Sequence, residues 1–444
     1  MTAHTLRPYQ EHFVTRVLDA LRRHRAVIGQ APTGAGKTRM AAWIIKRAVA
    51  AGYCVLFLAH LDSLVEDTHE RVTAEGIRAG FVQAGRPEDP DAPVQVASIA
   101  TIAARGTRPF AGKLKILIIA DECHHGVART WATIFAAYPQ AGLLGLTATP
   151  QRGDGRAMGD VFDCIVTGPT NAELVRDGFL SPVDVHAADR VTKDLSRDPV
   201  EAYLELPRDA QGELQRSVFF AANIAHATAL TADLVARGVP STMIIGETKR
   251  ADRRRIRDGL VEGTMRAVVG VGVFLEGWDV PPIEVVVLAR AFSVWGAWLQ
   301  AIGRGRRPHP ATGKTVCTVL DLHGCFWNFA PPDERLKFSL EGEPMSLAEP
   351  MPKVTRCREC RATFRPSARC PRCGAATKGS PLIPRKMSRS ERLELVSRLP
   401  RTEQDRRYVA QIARCRKDLS EADAWAWAKR TFEQRRGRPP EVHG

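Results

Sequence analysis

Residues 26–50, AVIGQAPTGAGKTRMAAWIIKRAVA, constrain the fold more than any other stretch of the chain. A short apolar run leads into APTGAGKT at 31–38, and an amphipathic stretch follows at once. Strand, glycine-rich turn and helix in that order are the setting in which a phosphate-binding loop forms. Gly34 and Gly36 let the backbone turn its N–H groups toward a phosphate, where side chains would block the approach. Pro32, Thr33 and Ala35 complete the turn. Lys37 reaches the terminal phosphates of a nucleotide such as ATP, and the Thr38 hydroxyl is a ligand for Mg²⁺. The helix that starts at Lys37 adds its positive dipole end. Ala31 stands where the strict pattern has Gly, and a side chain this small still fits.

One such unit cannot bury its own sheet, so it requires neighbours. The chain supplies them: YCVLFLAH, VQVASI, KILIIADE and GLLGLTATP are short runs rich in Val, Ile and Leu, separated by amphipathic stretches. In RMAAWIIKRAVAAG, Met40, Ile44, Ile45 and Ala48 share a helical face and Gly52 ends it. The same rhythm returns from about residue 217 with SVFFAAN, STMIIGE, RAVVGVGV, EVVVLAR and TVCTVLDL. Alternating β and α units imply an α/β fold of two doubly wound parallel-sheet halves. The expected domains are 1–170 and 171–330, with the mixed, charged stretch 170–215 as their connection. Beyond residue 331 the rhythm stops, leaving a cysteine-containing segment at 350–380 and a Lys/Arg-rich helical region at 385–444.

KILIIADECHHG at 115–126 is a strand ending in two acids. Ligands of open parallel sheets bind beyond the carboxyl ends of the strands, so Asp121 and Glu122 are expected to face the phosphate loop. Asp121 is then placed to hold the Mg²⁺ shell, and Glu122 to orient and deprotonate the attacking water. Cys123, His124 and His125 have the chemistry of metal ligands but poor spacing, because adjacent residues point in different directions.

Lys+Arg number 64 against 49 Asp+Glu, a formal net charge of +15. A field of this sign favours a polyanionic partner, with a plain solubility charge as the alternative. No apolar run reaches the length of a membrane span, and MTAHTLRPYQEHF lacks a secretory core. The expected location is therefore the cytoplasm, with no membrane partner. In that reducing setting Cys54, Cys123, Cys164, Cys317, Cys325 and Cys415, scattered singly, read as small buried hydrophobes. Cys357, Cys360, Cys370 and Cys373 differ, forming two C-x₂-C knuckles that suit one tetrahedral Zn²⁺. Disulfides and an iron–sulfur cluster are the rivals. Arginines 356, 358, 361, 365, 369 and 372 surround the quartet and favour phosphates, a purely structural ribbon being the alternative. In the tail, Ser420 and Asp423 resemble a capping box. Trp425 and Trp427 cannot share one helical face, so at least one is expected in a core or interface.

With APTGAGKT, DECH and TATP in this order, residues 6–330 resemble superfamily 2 helicases of the DExH type. The wording of LTATPQRGDG, LEGWDVP and QAIGRGRR is most similar to bacterial and phage DNA helicases of the RadD or UvsW kind. The resemblance implies two tandem RecA-like domains, with ATP and Mg²⁺ between them and nucleic acid across both. In LRPYQ, Gln10 with Arg7 would recognise adenine. His124, Thr147 and Thr149 would couple hydrolysis to movement. From the second half, Gly277 and Asp279 would face the nucleotide. In LQAIGRGRRP, Gln300, Arg304 and Arg307 would line the cleft, the two arginines approaching the γ-phosphate. Guanidinium groups there neutralise charge on the transferred phosphoryl group. The strand-gripping motif departs from the family pattern, with Leu61 in place of arginine, Asp67 in place of glutamine, and Ala100 at an often polar position.

The expected activity is ATP-driven remodelling or unwinding of single-stranded or branched DNA, in repair, recombination or replication. An RNA track is one alternative; a zinc-dependent nucleic-acid-binding protein with a vestigial ATPase is another. No nuclease constellation is evident.

Overall fold

The computed structural model describes residues 6–106, 108–125, 129–150, 157–188, 191–192, 194–274, 278, 280–329, 331–334, 338–341, 355–356, 363–364, 394–395, 401–414, 419–436 and 438–440. The chain divides into two units, Met1–Leu174 with Lys337–Pro344, and Val175–Leu336 with Met345–Gly444.

The first unit carries strands β1 (Ala26–Gln30), β2 (Cys54–Ala59), β3 (Ala79–Val82), β4 (Val94–Ser98), β5 (Ile116–Asp121), β6 (Gly142–Thr147) and β7 (Cys164–Thr167). They form a parallel sheet of order β3-β4-β2-β5-β6-β1-β7. Every residue of β1, β4 and β5 is buried, and β5 accordingly reads as a continuous apolar run up to its terminal Asp121 and not as an alternating one. Helices α1 (Pro8–Leu21), α2 (Lys37–Ala50), α3 (Asp62–Ala74), α4 (Ile99–Arg105), α5 (Arg129–Ala136) and α6 (Asn171–Arg176) connect or flank them. Pro8 at the first turn of α1 supplies a preset φ where its missing N–H is not needed. The late segment Phe338–Glu341 returns to this unit: the Leu340 carbonyl accepts from Met158 N at 2.8 Å and Gly159 N at 2.9 Å. The Leu340 side chain packs on the core that holds Met158 and Phe162.

The second unit carries β8 (Val183–Ala187), β9 (Ser217–Phe220), β10 (Ser241–Ile244), β11 (Ala267–Gly270), β12 (Val285–Leu288) and β13 (Cys317–Asp321). Its first four helices are α7 (Pro199–Leu204), α8 (Ile224–Ala236), α9 (Arg250–Glu262) and α10 (Trp295–Gly303). A two-stranded antiparallel pair follows, β14 (Thr355–Arg356) with β15 (Thr363–Phe364). The last described elements are β16 (Glu394–Leu395), α11 (Arg401–Ala413) and α12 (Glu421–Arg436). The sheet order is β10-β11-β9-β12-β13-β8-β16, parallel except for the β16 edge.

Two elements differ from the sequence reading. The stretch 170–215 is not merely connective, since β8 and α7 lie in it. Asp198 starts α7 by accepting from Val200 N and Glu201 N at 3.0 Å each. Within SRSERLELVSRLP, read as helical, Glu394–Leu395 instead pair with β8. An open sheet edge offers unpaired backbone groups, and that tertiary partner outweighs local helix propensity.

The helical tail is real from α11 onward. Tyr408, Val409 and Ile412 pack against Ala424, Ala428 and Phe432, with Trp425 and Trp427 both half-buried beside them. Ser420 caps α12 as expected, its hydroxyl accepting from Asp423 N at 3.2 Å and donating to the Asp423 carboxylate at 2.6 Å. Among the described residues no helix is long and apolar enough to cross a membrane. Cys123, Cys317 and Cys325 are buried free thiols, while Cys54 and Cys164 are partly exposed. Cys357, Cys360, Cys370, Cys373 and Cys415 lie outside the described residues.

Candidate active site

In the first unit the phosphate loop leaves the end of β1, inside the sheet between β6 and β7. Gly34 and Gly36 have φ of 87° and 84°, the left-handed region that disfavours any side chain. At Gly36 an added Cβ would lie 2.6 Å from Gln10 Nε2. The turn closes through Ala35 N donating to Pro32 O at 3.1 Å, and α2 begins at Lys37. Lys37 Nζ donates to the Ala31 carbonyl at 3.3 Å, so the ammonium lies over the loop it serves. Ala31 is fully buried, which explains why this first position takes nothing larger.

Gln10 is buried and bonded at both ends of its carboxamide. Oε1 accepts from Arg7 N at 3.0 Å, and Nε2 donates to Ala35 O at 3.0 Å. Tyr9, which the sequence reading passed over, donates its hydroxyl to the same Ala35 carbonyl at 2.9 Å. The start of α1 therefore holds the phosphate loop by its backbone. The only signal in the sequence was the adjacency of Tyr9 to Gln10.

Asp121 ends β5 and Glu122 follows with φ of 48°. A non-glycine residue in that region costs about 1–3 kcal/mol, and such strain concentrates where geometry serves function. The turn sends the chain into one 3₁₀ turn, Cys123–His125, and leaves both acids nearly buried. His124 Nδ1 lies 2.9 Å from Thr147 Oγ1 and 3.4 Å from Glu122 Oε2. Thr147 in turn accepts from Thr149 N at 3.1 Å. Two further bonds join this TAT segment to the phosphate loop: Ala31 N to Thr147 O at 3.0 Å, and Gln30 Nε2 to Ala148 O at 3.1 Å. Phosphate loop, acids, histidine and threonines thus form one bonded cluster at the carboxyl ends of β1, β5 and β6.

Cys123 takes no part in that polar cluster. It is fully buried, and a Cβ added at Gly145 would lie 2.6 Å from its Sγ and 2.8 Å from Phe162. Burial, with the Glu122 and Asp121 carboxylates, raises its thiol well above the usual range, so it stays protonated. Among the described residues no group of three or more His, Cys, Asp or Glu could hold a metal ion. At the altered strand-gripping motif, Leu61 is partly buried, while Asp67 and Ala100 are exposed.

In the second unit Gln300 is buried on α10, and Arg304 and Arg307 are half-buried just after it. Gly277 and Asp279 lie outside the described residues, as do 275 and 276. Trp278, between them, is described, and its carbonyl accepts from Arg304 Nη1 at 2.7 Å. The segment 303–307 is tightly framed. Ser181 N donates to Arg306 O at 2.7 Å, and Gly305 packs where a Cβ would meet Cys317 Sγ at 2.3 Å.

Lys314, not singled out in the sequence, is buried and donates Nζ to the carbonyls of Pro281, at 3.1 Å, and Ile283. Arg304 and Lys314 therefore hold the carbonyls of Trp278, Pro281 and Ile283. Burial lowers the Lys314 ammonium from 10.5 to about 8, with Cys317 and Glu284 opposing and Arg307 reinforcing the shift. The native protein then releases this proton before the unfolded chain does. The buried charge opposes folding by about 3 kcal/mol below pH 8, and that penalty fades as pH rises toward 10.5. Lys314→Met is expected to flatten the rise in urea midpoint between pH 7.5 and 10; an unchanged slope would contradict this assignment.

Residues 3–152 match the family model described as the type III restriction enzyme res subunit. The chain is 24% identical over 316 residues to a 51.5 kDa protein of Lactococcus phage (isolate 7-9), covering 66% of each. It is 25% identical over 365 residues to the putative ATP-dependent helicase IRC3 of Saccharomyces cerevisiae, covering 73% of this chain and 52% of that one. The chain thus spans about half to two thirds of the length of these curated relatives. In fold it resembles a fragment of a putative HsdR subunit of a type I restriction enzyme from Vibrio vulnificus YJ016. The TM-score is 0.60 at 22% identity, over 77% of this chain and 70% of that one. The chain is thus similar in sequence to a putative ATP-dependent helicase and to restriction-enzyme subunits, and similar in fold to one of the latter.

Proposed function

We propose that the chain is an ATP-driven helicase or translocase acting on nucleic acid, with DNA, single-stranded or branched, as the preferred track. The observation that carries this reading is the bonded line from the phosphate loop through Thr147 to His124 and Glu122. A group that hydrolyses a phosphoanhydride is there wired to a segment able to report its state. ATP fits the glycine cradle, with Lys37 for its phosphates, Thr38 and Asp121 for Mg²⁺, and Glu122 for the water. Bound Mg²⁺ supplies charge neutralisation of the phosphates. Arg304 and Arg307 are assigned to the γ-phosphate, and Gly277 and Asp279 to the nucleotide, on the family resemblance. The net charge of +15 and the phage and restriction-type relatives favour DNA. Strand-displacement assays on forked, Holliday-like and replication-fork substrates test the reading; absence of ATP-dependent displacement or movement on all of them would count against it.

Zinc belongs to the same proposal. The reading rests on the sequence alone, where Cys357-x₂-Cys360 and Cys370-x₂-Cys373 form two knuckles. Four thiolates of this spacing suit tetrahedral Zn²⁺ and not a hard cation. Elemental analysis is expected to find one zinc per chain, lost in Cys370→Ser; a metal-free, fully folded protein would remove zinc from the account.

A further inference from the structure

Arg306 sits between the two arginines assigned to the nucleotide, yet it points inward and is only 1% exposed. Its Nη2 meets the Asp333 carboxylate at 2.5 Å. Its Nε and Nη1 are buried with no hydrogen-bond partner among the described residues. A buried guanidinium with so few acceptors depends strongly on the carboxylate it has. Asp333 is followed by Glu334, whose carboxylate accepts from Arg401 at 3.2 Å and Arg438 at 3.4 Å. Arg438 also forms a forked pair with Asp405 of α11, at 2.7 and 3.0 Å. From the same helix the Arg407 guanidinium lies 5.6 Å from the Trp327 ring centre.

We infer that Asp333 is a positioning residue for the arginine segment 303–307, and that the α11–α12 hairpin buttresses it through Glu334 and Arg438. The helical tail thereby becomes part of the hydrolytic apparatus of the second unit. The geometry explains the order of the sequence GRGRR. Arg304 and Arg307 stay half-buried, Arg304 bonded to the Trp278 carbonyl, while Arg306 between them anchors the segment. Through this one charge-assisted contact to Asp333, Arg306 is held from within the fold.

The inference rests on the proposed ATPase reading, so its test carries two readouts. Asp333→Asn in the full chain is expected to lower kcat for ATP about tenfold, with KM for ATP within about twofold. Asp333→Glu restores part of the loss. Arg438→Gln, at a partly exposed site, lowers kcat about threefold, and Arg438→Lys, which keeps the charge but not the fork, restores only part of it; combining Arg438→Gln with Asp333→Asn adds nothing further. Independently of activity, Asp333→Asn is expected to accelerate amide hydrogen exchange in the peptide covering 299–308 by tenfold or more. If the wild-type protein hydrolyses no ATP, the functional reading fails while exchange still decides the positioning role. Unchanged exchange at 299–308, or a lowered melting temperature with kcat per folded molecule unchanged, would overturn it.

Discussion

Glu122→Gln is expected to reduce ATP turnover by about 10²–10⁴-fold, the range for removing a positioned general base. The substitution keeps the side chain's size and leaves ATP binding intact, because Lys37 and the glycine turn are untouched. Glu122, itself in the left-handed region, follows Asp121 directly, and its Oε2 stands 3.4 Å from His124 Nδ1. An amide there keeps hydrogen bonding but cannot take a proton from water. Steady-state turnover together with fluorescent-nucleotide binding separates the two effects. A variant that turns over ATP at the wild-type rate would remove Glu122 from the mechanism.

Gly305→Ala carries the second large effect. The new Cβ would lie 2.3 Å from Cys317 Sγ and 3.0 Å from Val286 Cγ2, both fully buried. Overpacking of this kind destabilises by about 1–3 kcal/mol, or roughly 2–12 °C of melting temperature for a unit of this size. Because Arg304 and Arg306 flank the glycine, ATP turnover falls with stability. Adding Cys317→Ala removes the closer clash, so the double variant is expected to regain most of the loss. Strict additivity of the two changes would show that Gly305 and Cys317 do not share that space.

The local chemistry was legible in the sequence, and the long-range chemistry was not. APTGAGKT and ADECH announce themselves because glycine conformations and strand-end acids are properties of consecutive residues. The observed positive φ at Gly34 and Gly36 is what the motif required. Cys123 shows the limit. Its soft-ligand chemistry raised a metal reading, and only the packing partner Gly145, brought in by the β5–β6 pairing, shows why a small thiol stands there. Arg306 and Asp333 are 27 residues apart, and no periodicity connects them. The edge strand Glu394–Leu395 is decided by β8, some two hundred residues earlier, and not by its own propensity. Lys314 in HPATGK reads as a polar surface turn until the fold buries it.

The central claim is that ATP hydrolysis in this chain is driven by a nucleic-acid track, and by DNA in preference. ATPase rate measured with single-stranded DNA, branched DNA and RNA, each over a range of salt, tests it most directly. The account predicts strong stimulation by DNA, weaker stimulation by RNA, and a steep loss of both with salt, since phosphate contacts release counterions. Stimulation by RNA alone would contradict the DNA assignment, and a rate indifferent to every nucleic acid would contradict the claim itself.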